Sequence, residues 1–488
     1  MDYNLLEKAS AAPEAASMIE TFRAIGYNLE TAVADIIDNS ISAGAKNIRI
    51  STIWRGGQSL IAIKDDGYGM NSNEIIQAMR PGAQNPLSER NSNDLGRYGL
   101  GLKTASFSQC RKLSVLSKKT GYCAAYWTWD LDYVAQSDSW ELLHWMPEEY
   151  KSALDDDKTG TLILWSDLDR IVPLNVKDDN ESEKRKFVKS LDRVKNHIAM
   201  IFHRFMEDGT VNIYWGNGLI EPWNPFCPNE SKRQVKSTDY LYNGEEVKGY
   251  VLPHKKNFSS ETAYNQAEGI NGWVAHQGFY VYRGKRLLLA GDWLGLFRKE
   301  EHYKLVRIQV DLPNNLDSEW QIDIKKSRAT PPNNCKDILE AYAKSLRVQG
   351  REVYSHRART IKTKAGGNFQ RLWLDKVKDG KTYFVINREN DLIKNMKELA
   401  RTSPDKAIDA LLRLIEEAVP TKTIYIKEAE GQVEQESQFL DVDTTMLKNT
   451  LEIMFENLLN QGKTIEQAKA YLKYIEPFNN YEELIDNL

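Results

Sequence analysis

Two polar side chains one helical turn apart suggest the first chemistry in this chain. In Ala34-Asp35-Ile36-Ile37-Asp38-Asn39-Ser40, Asp35 and Asn39 share one face of a helix read over residues 27–43, opposite the aliphatic Val33, Ile36, Ile37 and Ile41. A carboxylate placed there can hold a water beside an amide that holds Mg²⁺. Taken alone, polar residues at i and i+4 describe an ordinary solvated face equally well.

A second element, Lys64-Asp65-Asp66-Gly67-Tyr68-Gly69-Met70, follows a short strand-like run. Asp65 can accept a hydrogen bond from an adenine amino group, and the glycines let the backbone come close to a ligand. A tight Asp-Gly turn is the alternative reading. The third is Gly96-Arg97-Tyr98-Gly99-Leu100-Gly101-Leu102-Lys103-Thr104, a glycine-spaced loop running into a helix start. Its unpaired N–H groups, with Lys103, form a cradle for phosphate oxygens. Thr159-Gly160-Thr161 follows on a strand.

In this order and spacing the four elements resemble the GHKL ATPases, the superfamily of gyrase B, MutL, the ninety-kilodalton heat-shock chaperone, the MORC proteins and the histidine kinases. ADIIDNSISAGA is similar to their N-box, DDGYGM to their adenine box, GRYGLGLKTAS to their phosphate-binding box and TGT to their last nucleotide motif. The resemblance is clearest over residues 27–165. It implies an N-terminal Bergerat α/β sandwich with an ATP and Mg²⁺ site. In that site Asp35 positions and activates water, Asn39 holds the metal and Asp65 reads adenine. Gly67, Gly69, Met70 and Thr161 would also lie at the nucleotide, and Gly96, Arg97, Tyr98, Gly99, Leu100, Gly101, Leu102 and Lys103 would hold the phosphates. Less specifically, the segment from Gly278 to Leu289 and the segment from Trp320 to Arg328 are similar to parts of a MutL- and MORC-like transducer domain. That domain sends a basic residue to the γ-phosphate, where developing charge needs a cation. Lys326 is the preferred candidate and Lys325 the second, with a solvated basic loop as the alternative.

Two departures bear on activity. Most of the family has Glu where this chain has Asp35, which leaves the carboxylate one methylene further from the water, and a displacement near 1 Å can cost on the order of 10²-fold in rate. Either the site is adjusted to Asp, as in a MORC-like bacterial branch, or hydrolysis is slow and ATP serves as a clamp. Ser42 also stands where Asp is common. Gly380-Lys381-Thr382 and Gly462-Lys463-Thr464 lack the upstream glycine of a Walker loop, so no P-loop competes.

Length and composition set the frame for these elements. The chain has 488 residues, 41% of them hydrophobic, with 12 Trp and 23 Tyr, which predicts two or three domains and little disorder. A formal charge of −4 gives no global pull toward nucleic acid or anionic lipid. Cys110, Cys123, Cys227 and Cys335 are far apart and without metal spacing, which reads as reduced thiols in a cytoplasmic protein and argues against zinc. No apolar stretch of about 18 residues and no export signal is present, so no membrane is expected.

The expected fold class is α+β: an ATP-binding domain over residues 1–170, a transducer-like α+β domain over 171–334, and a mostly helical region over 335–488. Helices are predicted at 13–24, 27–43, from 73 to about 79, 182–206, 335–359, 404–418 and 443–473, the last broken at Gly462. Strands are predicted at 47–53, 59–63, 112–117, 123–131, 160–165, 211–215, 247–252, 272–282 and 305–312. The polar stretch 81–94 reads as a lid or a disordered segment. Only 26 residues precede the helix that carries the N-box and more than 300 follow the last motif, which fits MutL and MORC better than a histidine kinase. The resemblance then implies a homodimer closed through two ATPase heads by ATP, with residues 1–20 crossing to the partner. The setting would be DNA-directed, such as defence against foreign DNA, with a nuclease as a protein partner. From Lys336 to Arg371, nine Lys or Arg face three acids, a net of +6 that can track DNA phosphates or equally describe a solvated helix. The rival to an ATPase is an ATP-gated scaffold that closes on nucleotide and recruits a partner with little turnover.

Overall fold

The computed structural model describes residues 13–24, 26–82, 101–241, 245–313, 320, 330–354, 373–378, 381–389, 391, 394, 412, 444–475, 478 and 481–488. The chain divides into two compact units, residues 1–355 and 356–488. Of the helix expected at 404–418 all but Leu412, and of the lid stretch 81–94 residues 83–94, lie outside the described residues.

The first unit begins with α1 (Ala15–Ala24) and α2 (Leu29–Ser42). Asn28 caps α2 by accepting from the Thr31 N–H, which satisfies one of the donors a helix start leaves open. A hairpin follows, β1 (Asn47–Ile53) and β2 (Leu60–Asp65), and then α3 (Ser72–Met79), which starts with a capping box of Asn71 and Glu74. After α4 (Gly101–Phe107) come β3 (Lys112–Lys118), β4 (Ala125–Asp130), α5 (Leu131–Ser137), the short α6 (Glu148–Lys151) and β5 (Gly160–Ser166).

The long helix α7 (Glu181–Ile201) buries Phe187, Leu191, Val194, Ile198 and Ile201, a 3.6-period stripe, and packs beside α2. It is followed by α8 (His203–Glu207), β6 (Asn212–Trp215) and β7 (Gly218–Leu219). The residues read as the first strand of a second domain therefore belong elsewhere. β6 pairs in parallel with β1 and completes a seven-stranded sheet of order β4-β3-β5-β2-β1-β6-β7. Its helical face holds the main core. The opposite face is covered by Met146 and Leu154 over Leu60, Ala62, Leu116, Leu162 and Leu164, so β5 reads as an unbroken apolar run.

A second sheet is built from β8 (Val235–Tyr240), β9 (Glu246–Val251), β10 (Gly278–Arg283), β11 (Arg286–Asp292) and β12 (Val306–Leu312), in the order β11-β10-β12-β9-β8, with the small helix α9 (Glu261–Ala267) between β9 and β10. Only β10 and β12 run parallel. Helix α10 (Asn333–Tyr354) lays Leu339, Tyr342, Ala343 and Leu346 on this sheet.

In the second unit a hairpin of β13 (Trp373–Lys378) and β14 (Lys381–Ile386) precedes α11 (Thr444–Asn460), α12 (Ile465–Leu472) and α13 (Glu482–Asp486). The break between α11 and α12 falls at Gly462, whose φ of +87° suits glycine. Met454 and Leu458 go into this unit's own core with Leu472 and Phe478. Among the described residues, no helix is long and apolar enough to cross a membrane.

Candidate functional site

Asp35 is buried, at 4% exposure, so the solvated-face reading of α2 does not describe it. The Tyr27 hydroxyl donates to Asp35 Oδ2 at 2.8 Å, and Arg286 Nη2 lies 3.9 Å from Oδ1. Burial, and then the Asp35 charge, push the Tyr27 hydroxyl far above its ordinary range, so it stays a donor. Gly101 lies close over the carboxylate: a Cβ there would stand 3.6 Å from Asp35 Oδ2, an ordinary contact. Asn39, one turn on, is exposed.

Between them, Asp38 turns inward to 1% exposure, and both its oxygens accept from Arg286 Nε at 2.8 Å. Arg286 opens β11 and is itself buried. Its Nη1 donates to the Leu287 carbonyl, and its guanidinium carbon lies 5.8 Å from the centre of the Phe202 ring. Nearby, burial and then the Arg286 charge hold His197 down at about 4, so this imidazole is neutral at physiological pH.

The adenine-box residues converge at the end of β2. Asp65 faces Thr161 across the antiparallel β2–β5 pair. Its Oδ2 accepts from the Ser40 hydroxyl at 2.8 Å and its Oδ1 from the Gly67 N–H at 2.9 Å, which ties the second motif to the first. Burial raises its pKa. Gly69 has φ +66°, and a Cβ there would sit 1.9 Å from the Lys118 carbonyl oxygen, so only glycine passes. The Met70 N–H donates to the Ser117 hydroxyl, which in turn donates to the Gly160 carbonyl and lies 2.9 Å from the Thr161 hydroxyl. One serine thus stitches the loop to β5.

In the phosphate box, Gly101 and Leu102 are half-buried at the start of α4. Lys103 is buried, its Nζ donates to the Ala78 carbonyl at the end of α3, and burial lowers its pKa to about 8. Gly96, Arg97, Tyr98, Gly99 and Leu100, and also Lys325 and Lys326, lie outside the described residues.

The donor set fits a nucleotide with Mg²⁺. Mg²⁺ takes few protein ligands and keeps several waters beside substrate phosphates, so a single exposed oxygen donor such as the Asn39 amide is compatible with it. Among the described residues, no cluster of three or more His, Cys, Asp or Glu could hold a metal. Tyr27, Asp38, Ser40, Ser117 and Arg286 were not singled out by the motifs.

The basic stretch after residue 335 is partly occupied with packing. Arg347 stacks on Phe297 and Tyr303, 4.1 and 3.9 Å from their ring centres, and Lys344 pairs with Glu340 at 2.7 Å. Lys336 and Arg351 are exposed, while Arg357, Arg359, Lys362, Lys364 and Arg371 lie outside the described residues.

Residues 27–161 match the family described as histidine kinase-, DNA gyrase B-, and HSP90-like ATPase. The chain is 31% identical over 124 residues to the ATPase morc-1 of Caenorhabditis elegans, a match covering 25% of this chain and 14% of that protein. It is 44% identical over 57 residues to the DNA mismatch repair protein MutL of Clostridium acetobutylicum, covering 12% and 9%. A longer match, 27% over 196 residues, is to MutL of Dictyoglomus turgidum and covers 39% of this chain and 31% of that protein. The chain thus spans less than a third of the length of these relatives. The GHKL domain read from the motifs is present, and its relatives include MORC and MutL proteins.

Proposed function

We propose that the chain binds Mg²⁺-ATP in the first unit and hydrolyses it. The observation that supports this most is the pairing of a buried, hydrogen-bonded carboxylate, Asp35, with an exposed amide, Asn39, one turn away, at the start of the glycine-led helix α4. In this reading Asp35 orients and deprotonates the attacking water, Asn39 holds the metal and Asp65 accepts from the adenine amino group. Gly67, Gly69, Met70 and Thr161 close the base pocket, and residues 96–103 hold the phosphates. Lys326, with Lys325 second, meets the charge that develops on the γ-phosphate.

ATP would close two copies through these heads, and the work would be DNA-directed, in defence or repair, with a nuclease as a candidate partner. The ATP-binding domain would then comprise residues 1–170 with the strand pair 212–219, and the transducer-like part, expected over 171–334, would take in α10, which lies on its sheet. The chain is assigned to the cytoplasm.

Steady-state phosphate release with and without DNA tests the reading. Asn39→Ala is expected to abolish nucleotide binding, and Asp35→Asn to keep binding while removing turnover. Turnover unaffected by Asp35→Asn would leave the scaffold reading, in which ATP only gates closure. DNA stimulation that survives charge reversal at Lys336 and Arg351 together with Arg357 and Arg359 would exclude the basic segment as the DNA contact.

A further inference from the structure

Arg286 reaches the N-box helix from the second sheet, 248 residues beyond Asp38, and it does more there than neutralise one acid. We propose that Arg286 is a positioning residue for Asp35, a role that rests on the reading of Asp35 as the water-orienting carboxylate.

Its three nitrogens have separate engagements. Nε is held by both Asp38 oxygens and Nη1 by the Leu287 carbonyl, so the guanidinium plane is fixed at two points. Nη2 is the nitrogen that faces Asp35 Oδ1. At 3.9 Å it is beyond hydrogen-bond reach, so it attracts the carboxylate without capturing it. Tyr27 takes the other oxygen directly. Tyr27 thus anchors one oxygen directly, and Arg286 draws the other by charge.

His197, beside Arg286, is held neutral and adds no competing charge. The arrangement also answers the missing methylene. A short carboxylate on a rigid helix reaches a water reproducibly only if its rotamer is held, and Tyr27 and Arg286 hold it from two sides. Because Arg286 begins β11, the second sheet becomes part of the site: a displacement of β11 against α2 would release Asp35.

Removing Arg286 alone leaves Asp38 without this ion pair in the core, so the test uses one variant that keeps the charge and one that replaces both members of the pair. Arg286→Lys keeps the charge but cannot span Asp38 and Asp35 with one rigid fork. The double variant Arg286→Met/Asp38→Leu replaces a buried ion pair by apolar groups of similar size, which is often neutral for folding. Each is compared with the wild-type chain for affinity toward a non-hydrolysable ATP analogue, single-turnover hydrolysis, and the Asp35 conformation in a crystal structure with that analogue. The expected result for the double variant is affinity within about threefold, single-turnover rate down by roughly tenfold to a hundredfold, and an Asp35 carboxylate that has left its Tyr27 contact. Arg286→Lys is expected to fall between the two. A double variant with wild-type turnover and an unmoved Asp35 overturns the proposal and leaves Arg286 as the partner of Asp38 alone. Should the wild-type chain hydrolyse no ATP, the ATPase reading falls, and the Asp35 conformation alone then decides for or against the positioning role.

Discussion

Arg286 Nε lies 2.8 Å from both carboxylate oxygens of Asp38, with the two side chains 3% and 1% exposed. A pair this deep does not obey the rules of a surface ion pair. Losing one member leaves the other charged and without its partner in a low-dielectric core, which typically costs about 3–5 kcal/mol. Asp38→Ala is therefore expected to lower the urea midpoint of the first unit sharply. Arg55→Ala, which removes the half-exposed pair to Glu149, is expected to cost less than about 1 kcal/mol. Equal shifts for the two variants would contradict this account.

Asp35 is packed for its own length. Tyr27 already meets Oδ2 at 2.8 Å, so an added methylene in Asp35→Glu must push the carboxylate past the hydroxyl or out of the buried site. Restoring the commoner family residue is accordingly expected to slow hydrolysis, by about tenfold, rather than speed it. Tyr27→Phe removes a hydrogen bond to a buried carboxylate, worth roughly 1.5–3 kcal/mol, and is expected to lower both the melting temperature and the turnover. Phosphate-release assays and melting curves on the two variants decide both points; a faster Asp35→Glu chain would show that the site has room for Glu.

Much of the first sheet was legible because its signals are local. The β-rich runs read at 47–53, 112–117 and 160–165 and the glycines at 67 and 69 announce themselves within a few residues. What stayed hidden was set at long range. Asp35 and Asn39 share a face by spacing, yet one is buried and the other exposed, because the cover over Asp35 comes from Gly101 and Arg286. No periodicity within α2 encodes a partner on β11. β6 has four residues, too few to say which sheet they join, and its parallel partner β1 lies far upstream. The β13–β14 hairpin went unread although Asp379-Gly380 between alternating residues is a turn signal.

Asp65 gives a prediction on selectivity. Its two oxygens are positioned by Ser40 and by the Gly67 N–H, leaving a fixed acceptor for an exocyclic amine. Asp65→Ala is expected to weaken ATP binding by about 1–3 kcal/mol, on the order of tenfold to a hundredfold, and to erase preference for adenine over guanine. Calorimetric titration with ATP and GTP measures both. Because burial raises the Asp65 pKa, its ionised form is lost at a higher pH than for a free carboxylate, so adenine preference should decline early on acidification.

Lys103 ties function to a cost in stability. Burial lowers its pKa from 10.5 to about 8, so between those values the unfolded chain binds a proton that the folded chain does not. Stability from this group must then rise with pH across that window, and the penalty is fully present below it, at roughly 3 kcal/mol. Lys103→Met is expected to raise the melting temperature at pH 7 and to flatten its rise toward pH 9. A phosphate chain beside Nζ would favour the charged amine, so ATP binding near pH 8 should take up a fraction of a proton. That uptake appears as a dependence of binding enthalpy on buffer ionisation enthalpy. If Lys103→Met binds ATP as tightly as the wild-type chain and with the same buffer dependence, Lys103 serves the Ala78 carbonyl and not the phosphates. Loss of affinity with gain of stability is the expected pair, since a cation kept in the core beside α3 is hard to explain by folding alone.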